Sequence, residues 1–237
     1  MTGALTLDIL TAGAAKGVVL ALGAELRRRD GIAIDGVFDA AGAIRARFLE
    51  GSPCDVLLLP APMLDELAAQ QRVEPDARAA LGRVPTGIAV ASGTPPPRIH
   101  DEEALRATFN AASALYCPDT ERSTAGLHFV QMLRDMGIYS HVAARIRDYA
   151  NGAQAMAALA ATSGRECAIG CTQITEILYT PGVTLAGPLP APFELTTTYS
   201  AAASSTSRNP DTARRFVAML TGRDSVELRA ASGFTPT

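Results

Sequence analysis

The sequence predicts an α/β protein of two doubly wound lobes, with a cleft between them and two strands crossing from one lobe to the other. Three observations predict it. From Leu5 to Gln71, short apolar runs alternate with helical patterns in the order β-α-β-α-β-α, the arrangement that winds a parallel sheet. A second alternating series follows the Pro95-Pro96-Pro97 break. Two strand-like runs, Val84–Val90 and Phe193–Ala203, bracket that series and supply the crossings. The expected lobes are residues 1–84 with 196–237, and residues 85–195.

In the first lobe, Leu5, Leu7, Ile9 and Leu10 make a buried strand that stops in the small residues Thr11–Ala15. From Lys16 the pattern is helical, with Val18, Leu22 and Leu26 recurring at every fourth position, and Asp30-Gly31 turns the chain. Ile32–Phe38 alternates as a strand, and Asp39–Ala43 runs into a helix that turns Ile44 and Phe48 inward and ends at Gly51-Ser52-Pro53. Cys54–Leu59 is almost continuously apolar, as a central parallel strand covered on both faces requires. Pro60-Ala61-Pro62 closes it, and a helix over Met63–Gln71 follows.

In the second lobe, Asp101 caps a helix running to Asn110, Ala114–Cys117 is a strand, and Pro118–Thr124 is a polar loop. Ala125–Asp135 is a helix with Leu127, Val130 and Leu133 on its inner side, stopped by Gly137. Tyr139 and His141 read as surface loop, Arg145–Tyr149 as a short strand, and Asn151-Gly152 as the start of a helix to Leu159. Cys167–Gly170 is a strand, Thr172–Ile177 a short helix, and Val183–Leu185 a strand. After the return crossing, Asn209-Pro210-Asp211 opens a helix over Thr212–Thr221 with Phe216 and Leu220 inward.

Composition narrows the function classes. Of 237 residues, 48% are hydrophobic and 19% charged, enough to bury a sizeable core. A formal charge of −3 argues against a nucleic-acid partner, which needs a basic face. No run of about 18 apolar residues is present, so membrane insertion is not expected. Met1–Ala4 carries no leader pattern, so the chain reads as cytoplasmic, or as periplasmic where a signal peptide has been removed. Cys54, Cys117, Cys167 and Cys171 are scattered without a second Cys/His pair, so free thiols are expected, with no metal and no cofactor.

Four small-residue loops stand immediately before helices: Thr11–Ala15, Asp39–Ala43, Arg122–Ala125 and Asn151–Ala153. The first turn of a helix presents N–H groups without intrahelical partners and a partial positive charge. Four such ends facing one cleft make a site for a small anion. Lys16 stands in a first turn, where the dipole disfavours a cation. It is therefore either a solvated side chain or a ligand cation. With Arg122 it suits a ligand that carries carboxylates.

In these segments the chain resembles the molybdate-binding proteins of bacterial ABC importers, within the type II periplasmic-binding fold. The matching stretches are Ala41–Ile44, Gly51–Val56, Pro118-Asp119, Thr124–Gly126, Asn151-Gly152 and Ala213–Phe216 through Gly233-Phe234. The resemblance implies a cleft that grips a tetrahedral oxyanion through hydroxyls and backbone N–H groups. Ala125 and Gly152 fall at its backbone-donor positions. Its serines, however, fall at Ala14 and at Ala41 or Gly42, and its tyrosine at Cys171. Each lost donor to a charged group costs about 1–3 kcal/mol, so molybdate is disfavoured and an organic di- or tricarboxylate favoured.

Ala12–Gly17 and Gly170–Glu176 are similar to the aconitate isomerase branch of the same fold family. That likeness implies an isomerase in which one base takes an allylic proton and returns it elsewhere, while cations hold the carboxylates. Lys16 would be the catalytic base, since a water-poor cleft makes a lysine a usable base, with Arg122 as clamp. The expected ligand-binding set is Gly13, Ala14, Ala15 and Lys16, then Ala41 and Gly42, then Arg122, Ser123, Thr124 and Ala125. Asn151, Gly152, Cys171, Thr172 and Gln173 complete it, with Tyr179 as a further lining donor unless Tyr179–Gly182 is only a turn. His128 reads as a solvent or core histidine and Glu176 as a helix-surface carboxylate. An ABC permease is expected as partner only of an exported form.

Overall fold

The computed structural model describes residues 5–162 and 167–237; the Met1–Ala4 segment read above lies outside them. The chain divides into two compact units, Met1–Arg83 with Thr198–Thr237 and, between them in sequence, Val84–Thr197. Both are mixed α/β.

The first unit opens with β1 (Thr6–Ala12), a 3-10 turn (Gly13–Ala15) and α1 (Lys16–Asp30). There follow β2 (Ala33–Asp39), α2 (Ala41–Leu49), β3 (Val56–Pro60) and α3 (Ala61–Ala69). β1 lies between β2 and β3, parallel to both, with Thr6 opposite Ala33 and Ile9 opposite Val56. Every residue of β3 is buried, as its unbroken apolar run requires. Leu22 and Leu26 of α1, and Ile44 and Phe48 of α2, turn inward as their spacing predicts. Gly31 ends α1 at φ 70, the left-handed conformation that glycine enters without steric cost, and its N–H donates to the Arg27 carbonyl.

β4 runs over Val73–Ala91, far longer than the expected Val84–Val90. Its first half alternates between half-buried and exposed, with alanines, a proline and charges instead of β-branched residues, so the strand is not visible as an apolar alternation. Within the first unit, Arg83 is pinned to the chain end by a reciprocal pair of backbone bonds with Thr235, both 2.8 Å.

The second unit continues through α4 (Glu102–Ala111), β5 (Ala114–Pro118), α5 (Thr124–Asp135), α6 (Tyr139–Val142), β6 (Ile146–Tyr149) and α7 (Gly152–Ala160). It ends with β7 (Ala168–Gln173), α8 (Ile174–Tyr179) and β8 (Val183–Pro188). β5 is parallel to β6 and β7, while β4 is antiparallel to β7 and β8. The main core joins Leu105, Phe109, Leu115, Phe129, Leu133 and Val142, with Phe109 and Phe129 edge to face at 5.6 Å. Two expectations are corrected here. Leu127 is 52% exposed, and the inner face of α5 is set by Phe129, Val130, Met132 and Leu133. Tyr139 lies in α6, packs on the core and takes the Arg134 guanidinium over its ring at 5.1 Å.

β9 (Thr196–Ser204) returns the chain to the first unit, antiparallel to β3, and α9 (Pro210–Thr221) and α10 (Val226–Ala231) finish it. Phe216 and Leu220 of α9 are buried. Asp55, just before β3, is 2% exposed and ties this return to the first sheet. Its carboxylate accepts the Asp8 N–H at 2.9 Å, the Ser207 hydroxyl at 2.5 Å and the N–H groups of Arg208 and Asn209 at 3.1 and 3.3 Å. All four cysteines are unpaired thiols. Burial pushes Cys54 and Cys117 up to about 12, which removes them as nucleophiles at neutral pH. Among the described residues no helix is long and apolar enough to cross a membrane.

Candidate functional site

In the first unit the pairing of Ala12 with Asp39 sets the ends of β1 and β2 side by side. In a parallel sheet this carboxyl edge is where ligands meet helix starts. Gly13, Ala14, Ala15 and Lys16 follow one strand; Ala41 and Gly42 follow the other. Ala14, Ala15 and Ala41 are buried, and Lys16, the first residue of α1, is half-buried. Its Nζ lies 5.5 Å from the Phe38 ring centroid. The residues at the cap positions of α1 and α2 are Ala15 and Ala40, and neither helix has a side-chain cap bond. Asp39 instead accepts the Ala40 N–H at 2.9 Å. This edge therefore combines helix starts uncapped by side chains with one ammonium group.

The corresponding edge of the second unit is built differently. Asp119 accepts the N–H groups of Glu121 and Arg122 at 2.8 and 2.9 Å, which folds the loop after β5 and leaves the Arg122 side chain exposed. Ser123 caps α5 through the Gly126 N–H at 3.4 Å, with Thr124 half-buried and Ala125 buried behind it. Asn151 caps α7 through the Gln154 N–H at 3.0 Å. Cys171 packs in the apolar core beside Ile88 and Leu115, and burial pushes its thiol well above its ordinary value. Gln173 donates to the Thr197 hydroxyl at 3.3 Å. His128 bonds the Phe193 carbonyl at 2.9 Å.

The structure thus groups Gly13–Lys16 with Ala41 and Gly42 in one unit. In the other it groups the Arg122–Ala125 loop, Asn151-Gly152 and Cys171–Gln173 about three adjoining strand ends.

Sequence reasoning missed Glu176. It is not a surface carboxylate: it is 6% exposed, and the Thr172 hydroxyl donates to it at 2.6 Å. The backbone N–H groups of Gly152, Ala153 and Gln173 favour its ionised form as well. The available signal was its place within Ile174-Thr175-Glu176-Ile177, where isoleucines stand two residues before and one residue after the acid. Burial pushes this carboxyl above its ordinary value of 4.5, and the four donors pull it only partly back. A carboxyl that holds its proton more tightly when folded stabilises fully below its ordinary value and loses that contribution as pH rises through the folded one. The urea midpoint of the wild type is therefore expected to fall relative to Glu176→Gln as pH rises from about 4 to about 8. A difference that is flat across this range would mean Glu176 titrates as it does in the unfolded chain.

The comparisons with known proteins agree with this architecture. The family described as bacterial extracellular solute-binding protein matches residues 7–235. Aconitate isomerase of Pseudomonas sp. is 27% identical over 237 residues, covering 98% of this chain and 88% of that protein. The periplasmic molybdate-binding protein of Azotobacter vinelandii superposes with a TM-score of 0.78 at 19% identity, covering 98% of this chain and 99% of that one. The sulfate-binding protein SubI of Mycobacterium tuberculosis H37Rv gives 0.74 at 16% identity, covering 98% and 87%. At these identities the two solved structures speak to the fold alone, which is the type II periplasmic-binding fold. With a match over nearly its whole length, the chain belongs to the bacterial extracellular solute-binding protein family.

Proposed function

We propose that this solute-binding chain takes a small organic anion, a di- or tricarboxylate, at the edge that carries Lys16. The observation that carries the reading is the placement of Lys16 at the first position of α1, beside helix starts whose cap residues are alanines. A carboxylate gains from both: the ammonium supplies charge, and first-turn N–H groups supply directed donors. The alanines and glycines at Gly13–Ala15 and Ala41-Gly42 bring no hydroxyl donors for an inorganic oxyanion. The likeness to a protein named aconitate isomerase supports a tricarboxylate in particular. An ABC permease is the partner of an exported form.

A second reading is favoured by that same likeness, which runs over 98% of the chain. In it the bound tricarboxylate is also isomerised. The Lys16 amine removes a proton from the allylic carbon, the electron pair delocalises toward a carboxylate, and the same proton returns to the far end of the allyl unit. The double bond shifts with no oxidant or co-reactant, and the carboxylate that receives the electron pair spreads the developing charge.

Thermal-shift titration with citrate, tricarballylate and both aconitates tests the first reading, and following the aconitate isomer ratio by proton NMR tests the second. Lys16→Ala is expected to weaken tricarboxylate binding at least tenfold, about 1.4 kcal/mol. Lys16→Arg should keep most of the binding and lose the isomerisation, because a guanidinium does not give up its proton. A Lys16→Ala protein with an unchanged ligand shift would place the site elsewhere.

A further inference from the structure

The start of α7 is where a helix would be expected to offer backbone donors to a ligand, and the chain has used those donors itself. The Thr172 hydroxyl at the end of β7 donates to the Glu176 carboxyl group at 2.6 Å, and the backbone N–H groups of Gly152 and Ala153 at the head of α7 and of Gln173 at the head of α8 favour its ionised form. These groups come from two stretches of chain, 152–153 and 172–173, and none carries a charge. A carboxyl group held by several neutral donors is the arrangement in which a binding protein holds an external anion in a dry site. Here the acid arrives covalently, from one turn further along the chain.

The fit leaves no room for a second occupant. A Cβ added at Gly152 would lie 2.0 Å from the Glu176 Oε2 and 2.1 Å from the Thr172 Oγ1, so the carboxyl group rests directly against the α7 backbone. Glu176 is itself only 6% exposed. A tetrahedral oxyanion reaching the Gly152 N–H would have to expel this carboxyl group and break its bond from the Thr172 hydroxyl. Where the carboxyl group is ionised, the two anions would also repel at contact distance.

We propose that Glu176 is a specificity-determining residue: its carboxyl group occupies the donor cradle at the start of α7 and bars tetrahedral oxyanions such as molybdate and sulfate from the second unit. The inference deepens the organic-anion reading and rests on it. Ligands that need those backbone donors are excluded, and ligands held by cations elsewhere are not.

The test compares the full-length wild type with Glu176→Ala, using equilibrium dialysis and thermal shift with molybdate, sulfate and, separately, citrate and trans-aconitate. Truncation to alanine removes the side chain beyond Cβ and vacates the space that the carboxyl group fills against Gly152. The expected result is no molybdate or sulfate binding by the wild type at millimolar concentration. Glu176→Ala should bind at least one of the two at least about tenfold more tightly than the wild type. Equal oxyanion binding by both proteins, or none by a folded Glu176→Ala, overturns the proposal. Where Glu176→Ala does not fold alone, the reading becomes which anion restores its native circular dichroism. Molybdate or sulfate restoring it supports the proposal; formate alone, or no anion, overturns it. The tricarboxylate arm is separate. A wild type that ignores citrate and aconitate while the oxyanion pattern holds would refute the organic-anion reading and leave the exclusion by Glu176 standing.

Discussion

Asp55→Ala is expected to lower the unfolding free energy by about 3–5 kcal/mol, the cost of removing one side of a buried charged hydrogen-bond network. At about 2–4 °C per kcal/mol for a chain of this size, the melting temperature should fall by roughly 10 °C. The carboxylate accepts four donors, three of them backbone N–H groups that no side-chain rotation can redirect. Those donors belong to β1 on one side and to residues 207–209, which lead into α9, on the other. The neighbouring backbone bonds, Asp55 N–H to the Asp8 carbonyl at 2.7 Å and Ser204 N–H to the Asp55 carbonyl at 2.9 Å, hold the main chain beside them. Losing the carboxylate therefore leaves donors dry at a position where the sheet fixes the backbone.

Two companions separate the contributions. Ser207→Ala removes one neutral donor and should cost about 1 kcal/mol. Asp55→Asn should fall between the two. Its amide can accept on one side only, but the charge it removes also repels Asp8, whose carboxyl is pushed up first by burial and then by Asp55 and Asp35. Urea unfolding of the three variants checks the order. Asp55→Ala no worse than Ser207→Ala would mean that water reaches the orphaned N–H groups.

Asp55 also marks the limit of what the sequence discloses. The apolar run Val56–Leu59 is legible as a central strand because burial on both faces demands residues of one kind. α1, α2 and α9 are legible because each buries one face, with Leu26, Phe48 and Phe216 at the spacing a helix requires. What cannot be read is any group defined by a partner far away in the chain. Nothing local to Asp55 announces Ser207, and nothing local to Gly152 announces Glu176. Leu127 failed for a related reason: three and six residues from Leu127 fall Val130 and Leu133, so the pattern accepts it, yet Phe129 and Met132 define the buried side. The first half of β4 escaped because half-exposed strand positions filled with alanine and charges carry no period-two signal.

The candidate site shows the same division. That small residues precede helices at Gly13–Ala15, Ala41-Gly42, Arg122–Ala125 and Asn151-Gly152 is a property of the sequence, and strand order brings these loops to the sheet edges of their own units. How each helix start is satisfied is a property of side-chain placement. α1 and α2 have no side-chain cap, α5 and α7 have Ser123 and Asn151, and α7 has Glu176 in addition. Equivalent loops in the sequence are thus chemically unequal in the folded units, with the ammonium of Lys16 on the uncapped side.

Gly126→Ala carries the second large effect, and its sign is set by two opposed quantities. Within a helix alanine is favoured over glycine by about 1 kcal/mol, so an unobstructed position would gain stability. At Gly126 the added Cβ would lie 2.2 Å from the Asp119 carbonyl oxygen and 2.5 Å from that of Pro118. Both obstacles are backbone, and the Asp119 carbonyl is further fixed by the Ser123 N–H at 3.1 Å, while its side chain holds Glu121 and Arg122. Relief requires moving the loop as a whole or drawing the first turn of α5 off β5, where Ala125 and Phe129 are packed. Overpacking against backbone outweighs the propensity gain, and a net loss of about 2–3 kcal/mol is expected. Ser123→Ala is the reference, because it removes the cap of the same helix without a clash and should cost about 1 kcal/mol. Gly126→Ala losing more than Ser123→Ala in urea unfolding locates the cost in the close approach of helix and loop. Equal losses would show that the loop yields and only the cap is disturbed.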